Sequence, residues 1–194
     1  MILSALSYIK DKTGYLQEFI SDPFSTGSIV PSSQLLCKTM SGAVDWDKVS
    51  SVAELGAGGG VLTQHLLACM RSDATLVAFE TNHRFCDILN KMKDDRLTVV
   101  ADSAECMQSG YDAILSSLPL LTLSGKLRHR ILEQAMKALN PEGVFVRFQY
   151  TPFLEPLLSD YFTWSRTRVI RNLPPALVYR CQVPCSRDDA SLPD

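Results

Sequence analysis

The chain has 194 residues, which is long enough for one domain with a sizeable hydrophobic core. Charged residues make up 21% of it and the formal net charge is −2, so it lacks the strongly basic composition of proteins that grip long nucleic acids. No apolar stretch is long enough to span a bilayer, and we expect no export signal in the first residues.

The six cysteines include no C-x-x-C pair, which predicts reduced thiols rather than disulfides or a zinc site. We therefore expect no bound metal. We also expect a cytoplasmic location, with the protein either soluble or peripheral on the inner face of the cell membrane.

Residues 1–22 space their apolar side chains as one face of one or two helices. Two interpretations are open: a helix packed on the domain, or an interfacial helix whose apolar face enters a membrane. The cations of this segment are Lys10 and Lys12, which predict only weak attraction to anionic lipid. A loop of small residues, 27–33, follows, and Ser32 or Ser33 is expected to cap a helix at 34–40.

Residues 52–60 read Val-Ala-Glu-Leu-Gly-Ala-Gly-Gly-Gly and predict a strand, a tight turn and the start of a helix at 61–70. In this layout, backbone N–H groups at the helix start can approach a nucleotide-sized ligand. The glycines fall at 56, 58, 59 and 60 and so miss the G-x-G-x-x-G spacing. A dinucleotide-dependent dehydrogenase is therefore the weaker interpretation.

Three further apolar runs each end in polar residues. The run 75–79 ends in Glu80, the run 97–101 in Asp102 and Ser103, and the run 111–115 in Ser116 and Ser117. Four strands with polar residues at their carboxyl ends predict one open α/β sheet with a ligand along that edge.

The rest of the chain predicts helices between these strands and a hairpin after them. Asn82 and Ser124 are expected to cap two helices, and residues 140–143 form a turn before a strand at 144–150. Residues 167–171 and 176–180 predict an antiparallel hairpin.

Taken together, these motifs resemble the class I S-adenosylmethionine-dependent methyltransferases over residues from about 50 to 150. The resemblance implies a Rossmann-like α/β fold with a seven-stranded, mostly parallel sheet, an antiparallel C-terminal hairpin and helices on both faces. We expect N-terminal helices at 1–45 that cover the active site, a methyltransferase domain at 46–183 and a flexible tail at 184–194.

The resemblance also implies S-adenosylmethionine as cofactor and assigns residues to it. Gly56, Gly58 and Gly60 would approach its methionine portion, with Glu54 supporting the turn. Glu80 would accept hydrogen bonds from both ribose hydroxyls, and Asp102 from the adenine amino group. Further residues expected around the cofactor are Ser28, Ser32, Thr81, Ser103 and Ser116.

Four segments indicate a narrower family within these methyltransferases: 27–33, 116–120, 148–150 and 171–176. They closely resemble the small bacterial phospholipid N-methyltransferases, which convert phosphatidylethanolamine stepwise towards phosphatidylcholine, and the match runs from about residue 15 to 179. The related ribosomal RNA adenine dimethyltransferases carry an Asn, a Pro and an aromatic ring after the fourth strand. Here Ser117-Leu118-Pro119-Leu120 lacks both the amide and the ring, so no nucleic-acid partner is expected.

For the acceptor, the resemblance implies a lipid amine held by Ser116 and Ser117, with Tyr150 facing them. Aromatic rings suit the methylated cation, and an arginine suits the lipid phosphate. The residues assigned to the lipid are Tyr15, Phe19, Leu118, Pro119, Arg147 and Asn172. The alternatives are a soluble amine, another aminolipid such as an ornithine lipid, and RNA adenine.

Overall fold

Seven strands form one sheet in the order β3-β2-β1-β4-β5-β7-β6. This computed structural model describes residues 31–172 and 174–184, with side chains from residue 34 onward. The strands are β1 Ser51–Leu55, β2 Thr75–Phe79, β3 Leu97–Val100, β4 Tyr111–Ser116, β5 Leu139–Gln149, β6 Thr163–Val169 and β7 Ala176–Gln182. Strands β1 to β5 are parallel, and β7 runs antiparallel to both β5 and β6. The predicted fold class is confirmed.

Helices cover both faces of the sheet. They are α1 Pro31–Ser41, α2 Val61–Cys69, α3 His83–Asn90, α4 Gly125–Ala138 and α5 Glu155–Ser159, with short 3-10 helices at Ala104–Cys106 and Pro152–Leu154. On one face, α1 and α2 pack on the sheet through side chains such as Met40 and Leu66. On the other, α4 and α5 pack through Ile131 and Leu158. We call these the α2 face and the α4 face.

Side-chain alternation along β5 decides which groups reach which face. Val144 and Val146 join the core on the α2 face, whereas Phe145 joins the core on the α4 face. The next two alternate positions after Phe145 are Arg147 and Gln149, which therefore also point towards the α4 face. Strands β1, β2, β4 and β5 all end at one edge of the sheet, which we call the carboxyl edge.

The two predicted caps are present. The Asn82 side chain accepts a hydrogen bond from the Arg84 N–H at the start of α3, and the Ser124 side chain accepts one from the Leu127 N–H in α4. The predicted cap of the first helix is wrong, because α1 begins at Pro31 and includes both Ser32 and Ser33. Proline suits the first helical turn, where its missing N–H leaves no intrahelical bond unmade.

Strand β5 is longer than expected. It starts at Leu139, so the predicted turn at 140–143 lies inside the strand as a local irregularity. Glu142 has φ 65°, and a Cβ on Gly143 would lie 2.8 Å from the Asn140 carbonyl oxygen. The Asn140 amide donates to Asp112 Oδ1 at 2.7 Å and so ties the irregular stretch to β4.

Several predictions concern residues outside the described part of the chain. These are the N-terminal helices within 1–22, the tail beyond 184, and the residues Tyr15, Phe19 and Ser28. The division of the chain at residues 45 and 183 stays a prediction. Among the residues that the structure describes, none of the helices is both long and apolar enough to cross a bilayer.

Candidate active site

The glycine turn after β1 requires residues without a side chain. Gly56, Gly58 and Gly60 have φ values of 76°, 52° and 83°, a region that other residues rarely adopt. A Cβ on Gly60 would also clash with the Met92 side chain. The Gly56 N–H donates to the Phe79 carbonyl at 2.9 Å, which fixes the turn against the end of β2. The turn therefore opens onto the carboxyl edge at the start of α2.

Glu80 follows β2 and lies against this turn. Its Oε2 accepts from the Gly58 N–H at 2.8 Å, and its Oε1 accepts from the Asn82 N–H at 2.8 Å. The side chain is half-buried. Each carboxylate oxygen keeps a second lone pair, so the group can still accept hydrogen bonds from two ligand hydroxyls. This is the orientation that a ribose-binding carboxylate needs.

Glu54 lies at the other side of the turn and is fully buried on the α2 face. Its Oε2 accepts from the Thr63 hydroxyl at 2.6 Å, whereas Oε1 has no hydrogen-bond partner in residues 34–172 and 174–184. Burial, with a smaller contribution from the charge of Glu80, raises the pKa of Glu54 to about 8. A buried carboxylate oxygen without a donor fits the cationic ammonium of the cofactor's methionine portion.

Asp102 and Ser103 follow β3, the strand next to β2. Asp102 is exposed, and its Oδ1 accepts from the Ser103 N–H at 2.6 Å. The Ser103 side chain accepts from the Glu105 N–H and caps the short helix there. The Glu80 N–H donates to the Val100 carbonyl at 3.0 Å, so Asp102 and Glu80 follow adjacent strand ends. Thr81 is exposed beside Glu80.

The loop after β4 packs directly on the glycine turn. The Ser117 N–H donates to the Leu55 carbonyl at 2.9 Å, and Ser116 Oγ accepts from the Leu118 N–H at 3.4 Å. The Leu118 side chain fills the space that a Cβ on Gly56 would need, at 2.7 Å from it. The predicted acceptor loop and the predicted cofactor turn are therefore neighbours. Pro119 is half-buried in the same loop.

Tyr150 and Asn172 come together on the α2 face. The Tyr150 ring packs edge-on against Phe148 with centroids 5.5 Å apart, and its hydroxyl is close to the Asn172 side chain. Burial raises the pKa of Tyr150. The side chain of Ser116 points to the α4 face, because it follows Ile114 by two residues. The expectation that Tyr150 faces Ser116 is therefore wrong, since strand alternation puts them on opposite faces. Their catalytic roles stay predictions.

Arg147 is buried on the α4 face and is only 2% exposed. Its Nε and Nη1 have no hydrogen-bond partner in the described part of the chain, and burial lowers its pKa to about 10. Gln149 is 6% exposed, and both polar atoms of its amide also lack a partner there.

Residues 9–139 match the family model of ribosomal RNA adenine dimethylase. The chain belongs to this family. A curated relative is the ornithine lipid N-methyltransferase of Singulisphaera acidiphila, which is 26% identical over 186 residues, covering 90% of this chain and 97% of that protein.

Two solved structures share the fold of this dimethylase-family chain. The N-methyltransferase NodS from Bradyrhizobium japonicum WM9, in complex with S-adenosylhomocysteine, aligns with a TM-score of 0.73 and 15% identity, covering 89% of this chain and 98% of NodS. A protein described as a putative rRNA-methylase from Clostridium thermocellum aligns with a TM-score of 0.60 and 18% identity, covering 82% and 99%.

The family and the fold identify the protein as a methyltransferase that uses S-adenosylmethionine. The sulfonium of this cofactor supplies the methyl group. The residues at the carboxyl edge fit that cofactor. Glu80 offers free lone pairs beside the Gly58 N–H, and Glu54 offers an unpartnered carboxylate oxygen on the other side of the turn. The individual contacts assigned to Glu80, Glu54, Asp102 and the glycines remain our proposal.

Sequence reasoning missed three residues of this dimethylase-family site. Thr63 donates to Glu54, Arg128 donates to carbonyl groups of the loop after β4, and Gln149 lies beside Arg147 on the α4 face. A signal existed for Gln149, because polar residues at 147 and 149 alternate with apolar residues in the strand 144–150. No comparable signal marks Thr63 or Arg128.

Proposed function

We propose that this enzyme transfers methyl groups to the amine of an aminolipid headgroup at a membrane surface. The observation that carries the proposal is the loop Ser116-Ser117-Leu118-Pro119, which packs against the glycine turn and offers hydroxyl and carbonyl groups there. The proposed acceptors are phosphatidylethanolamine with its methylated intermediates, and the amine of an ornithine lipid. The named relative, which acts on ornithine lipid according to its name, supports the aminolipid class.

Methyl transfer from a sulfonium is an in-line displacement, so the protein's main task is to align the amine with the methyl carbon. An ammonium has no free lone pair, so the acceptor must enter the site as the free amine, with its proton released to bulk water. Ser116 and Ser117 lie where strand β4 ends beside the turn, and their oxygens are suited to hold and orient such an amine.

An exposed apolar surface lies at the same edge of the sheet. Phe153 follows the end of β5 and is 68% exposed, and Ile170 follows the end of β6 and is 70% exposed. Strand β6 runs in the direction of β5, because both are antiparallel to β7, so the two side chains extend from the same edge. The exposed Arg168 and Arg171 flank Ile170. Apolar side chains beside arginines suit an anionic lipid surface.

Replacing both Phe153 and Ile170 by serine is expected to lower binding to vesicles of anionic lipid by about a hundredfold or more, because each large apolar side chain contributes roughly 1.5–3 kcal/mol when fully buried. Co-sedimentation with vesicles measures this effect. Val183→Ser is the matched control, since Val183 is 41% exposed beyond the other end of β7. Equal sedimentation of the double variant and the control would contradict this surface.

The proposed reaction is tested with purified protein, labelled S-adenosylmethionine and vesicles that contain either phosphatidylethanolamine or ornithine lipid. Label is expected in the lipid fraction, with products resolved by their degree of methylation. Label that never enters any lipid, or that enters a soluble amine without vesicles, would contradict the proposal.

RNA adenine is the second candidate, because the matching family is that of the ribosomal RNA adenine dimethylases. A ribosomal RNA transcript is therefore included as an acceptor in the same assay. Transfer to RNA that weakens steeply with added salt would favour this candidate. The loop 117–120 has neither an amide side chain nor an aromatic ring, and we therefore expect no transfer to RNA.

A further inference from the structure

A buried guanidinium without an anion lies next to the proposed acceptor loop. Arg147 on β5 pairs in register with Ser116, the last residue of β4, and with Tyr179 on β7. Its side chain is 2% exposed, and its Nε and Nη1 have no hydrogen-bond partner in residues 34–172 and 174–184. A buried charge without a partner destabilises the folded protein, so a retained one indicates a role beyond packing.

A second guanidinium, that of Arg128, lies on the helix that covers this face of β5. Arg128 on α4 lies close enough to lower the pKa of Arg147 further. The Arg128 guanidinium donates to the carbonyl groups of Leu120 and Leu123 in the loop after β4. Glu155 is engaged elsewhere, since it pairs with Arg166 and accepts from the Tyr179 hydroxyl at 2.7 Å. None of the ion pairs among the described residues includes Arg147 or Arg128.

Gln149 adds a hydrogen-bond donor and a hydrogen-bond acceptor on the same face of β5 as Arg147. It lies two residues beyond Arg147 on the α4 face and is 6% exposed; its amide lies close to the Tyr179 hydroxyl but forms no hydrogen bond of ordinary geometry to a described residue. A buried amide is normally hydrogen-bonded. Together the two side chains place three buried N–H-bearing nitrogens without an ordinary hydrogen bond to a described residue on the α4 face.

This region is adjacent to the proposed position of the amine. Neighbouring strands are about 4.8 Å apart, so Arg147 and Ser116 begin from backbone positions side by side. Strand β5 ends at Gln149 and β4 ends at Ser116, so Arg147 and Ser116 both lie close to the ends of their strands at the carboxyl edge. Backbone register therefore places Arg147 and Gln149 on the strand next to the proposed position of the amine.

We propose that Arg147 and Gln149 form a buried oxyanion site that binds the phosphate or carboxylate of the acceptor and selects amines whose headgroup carries such a group. The inference rests on the proposed methylation of an aminolipid. The oxyanion has two possible sources. In phosphatidylethanolamine it is the phosphate, and in an ornithine lipid it is the carboxylate of the amino acid. The lipid acceptors in the assay distinguish them.

The test compares Arg147→Met with the wild-type enzyme on vesicles of phosphatidylethanolamine, ornithine lipid or sphingosine, a lipid amine without an oxyanion. We expect kcat/KM to fall about 100-fold on the lipid whose oxyanion is bound, mainly through KM, because hydrogen bonds to charged groups contribute strongly. The rate on sphingosine should be low and unchanged by the substitution. Gln149→Leu should lower kcat/KM about tenfold on the same lipid.

The thermal stability of Arg147→Met distinguishes a role in binding the acceptor from a purely structural role of Arg147. Removing an unpaired buried cation is expected to leave the thermal midpoint of Arg147→Met equal to or above that of the wild type, with unchanged affinity for S-adenosylmethionine. Arg71→Met is the control, since Arg71 is exposed and pairs with Asp73 at the other edge of the sheet.

Two outcomes overturn the inference: a lower thermal midpoint with unchanged turnover on every lipid, or equal kcat/KM for Arg147→Met and the wild type. Failure of the wild type itself to methylate any lipid would instead contradict the proposed function, so the two failures are distinguishable.

Discussion

Replacing Glu80 by alanine is expected to weaken S-adenosylmethionine binding by about 100-fold or more, because two hydrogen bonds to a charged acceptor are worth roughly 1.5–3 kcal/mol each. The carboxylate already accepts from the Gly58 and Asn82 N–H groups at 2.8 Å, and these contacts hold it at the mouth of the glycine turn. Its remaining lone pairs are those we assign to the ribose hydroxyls. Isothermal calorimetry with the purified variant measures the change.

The Glu80→Ala protein must be shown to be folded, because the Gly58 hydrogen bond also orders the turn. A thermal midpoint close to that of the wild type establishes this. Glu133→Ala is the matched control, since Glu133 is exposed on α4 and pairs with Lys137. Affinity for the cofactor that is unchanged in a folded Glu80→Ala variant would remove Glu80 from the cofactor site.

The carboxyl edge of the sheet was predictable because local chemistry determines it. Buried parallel strands read as short apolar runs, and polar residues directly after them must lie at the edge where the strands end. This reasoning placed Glu80 and Asp102 after adjacent strands and Ser116 beside the glycine turn. The same local signals identified Asn82 and Ser124 as caps.

Other features depend on where distant parts of the chain meet. Whether Arg147 is buried or at the surface depends on which helix covers its face of β5, and the sequence of β5 alone does not determine this. Helix α1 starts at Pro31 and not at the predicted residue 34, because proline is common in loops but also suits a first helical turn. The exposure of Phe153 and Ile170 likewise depends on how the chain leaves β5 and β6.

The stability of the protein without cofactor is expected to fall as pH rises from about 5 to 8, because of Glu54. The usual pKa of this side chain is near 4.5, and burial raises it to about 8 in the folded protein. Between these values the folded state holds one proton more than the unfolded state, so the free energy of unfolding decreases with pH. The slope is at most about 1.4 kcal/mol per pH unit. Below pH 4.5 both states are protonated and the contribution is constant.

Urea unfolding at several pH values between 5 and 8 tests this expectation. Glu54→Gln has nearly the same shape and stays neutral, so its stability should lack the decrease that Glu54 causes. Glu133→Gln should behave like the wild type, since that carboxylate is exposed and paired with Lys137. Identical pH dependence of Glu54→Gln and the wild type would show that Glu54 does not hold its proton in this range.

The same proton links Glu54 to cofactor binding. Oε1 has no donor in the described part of the chain, so a cation bound beside it favours the charged carboxylate and displaces the proton. We therefore expect S-adenosylmethionine to bind more tightly as pH rises from 6 to 8, with release of up to one proton. Calorimetry in two buffers of different ionisation enthalpy measures that release. Glu54→Gln should abolish it, and release that persists in this variant would assign the proton to another group.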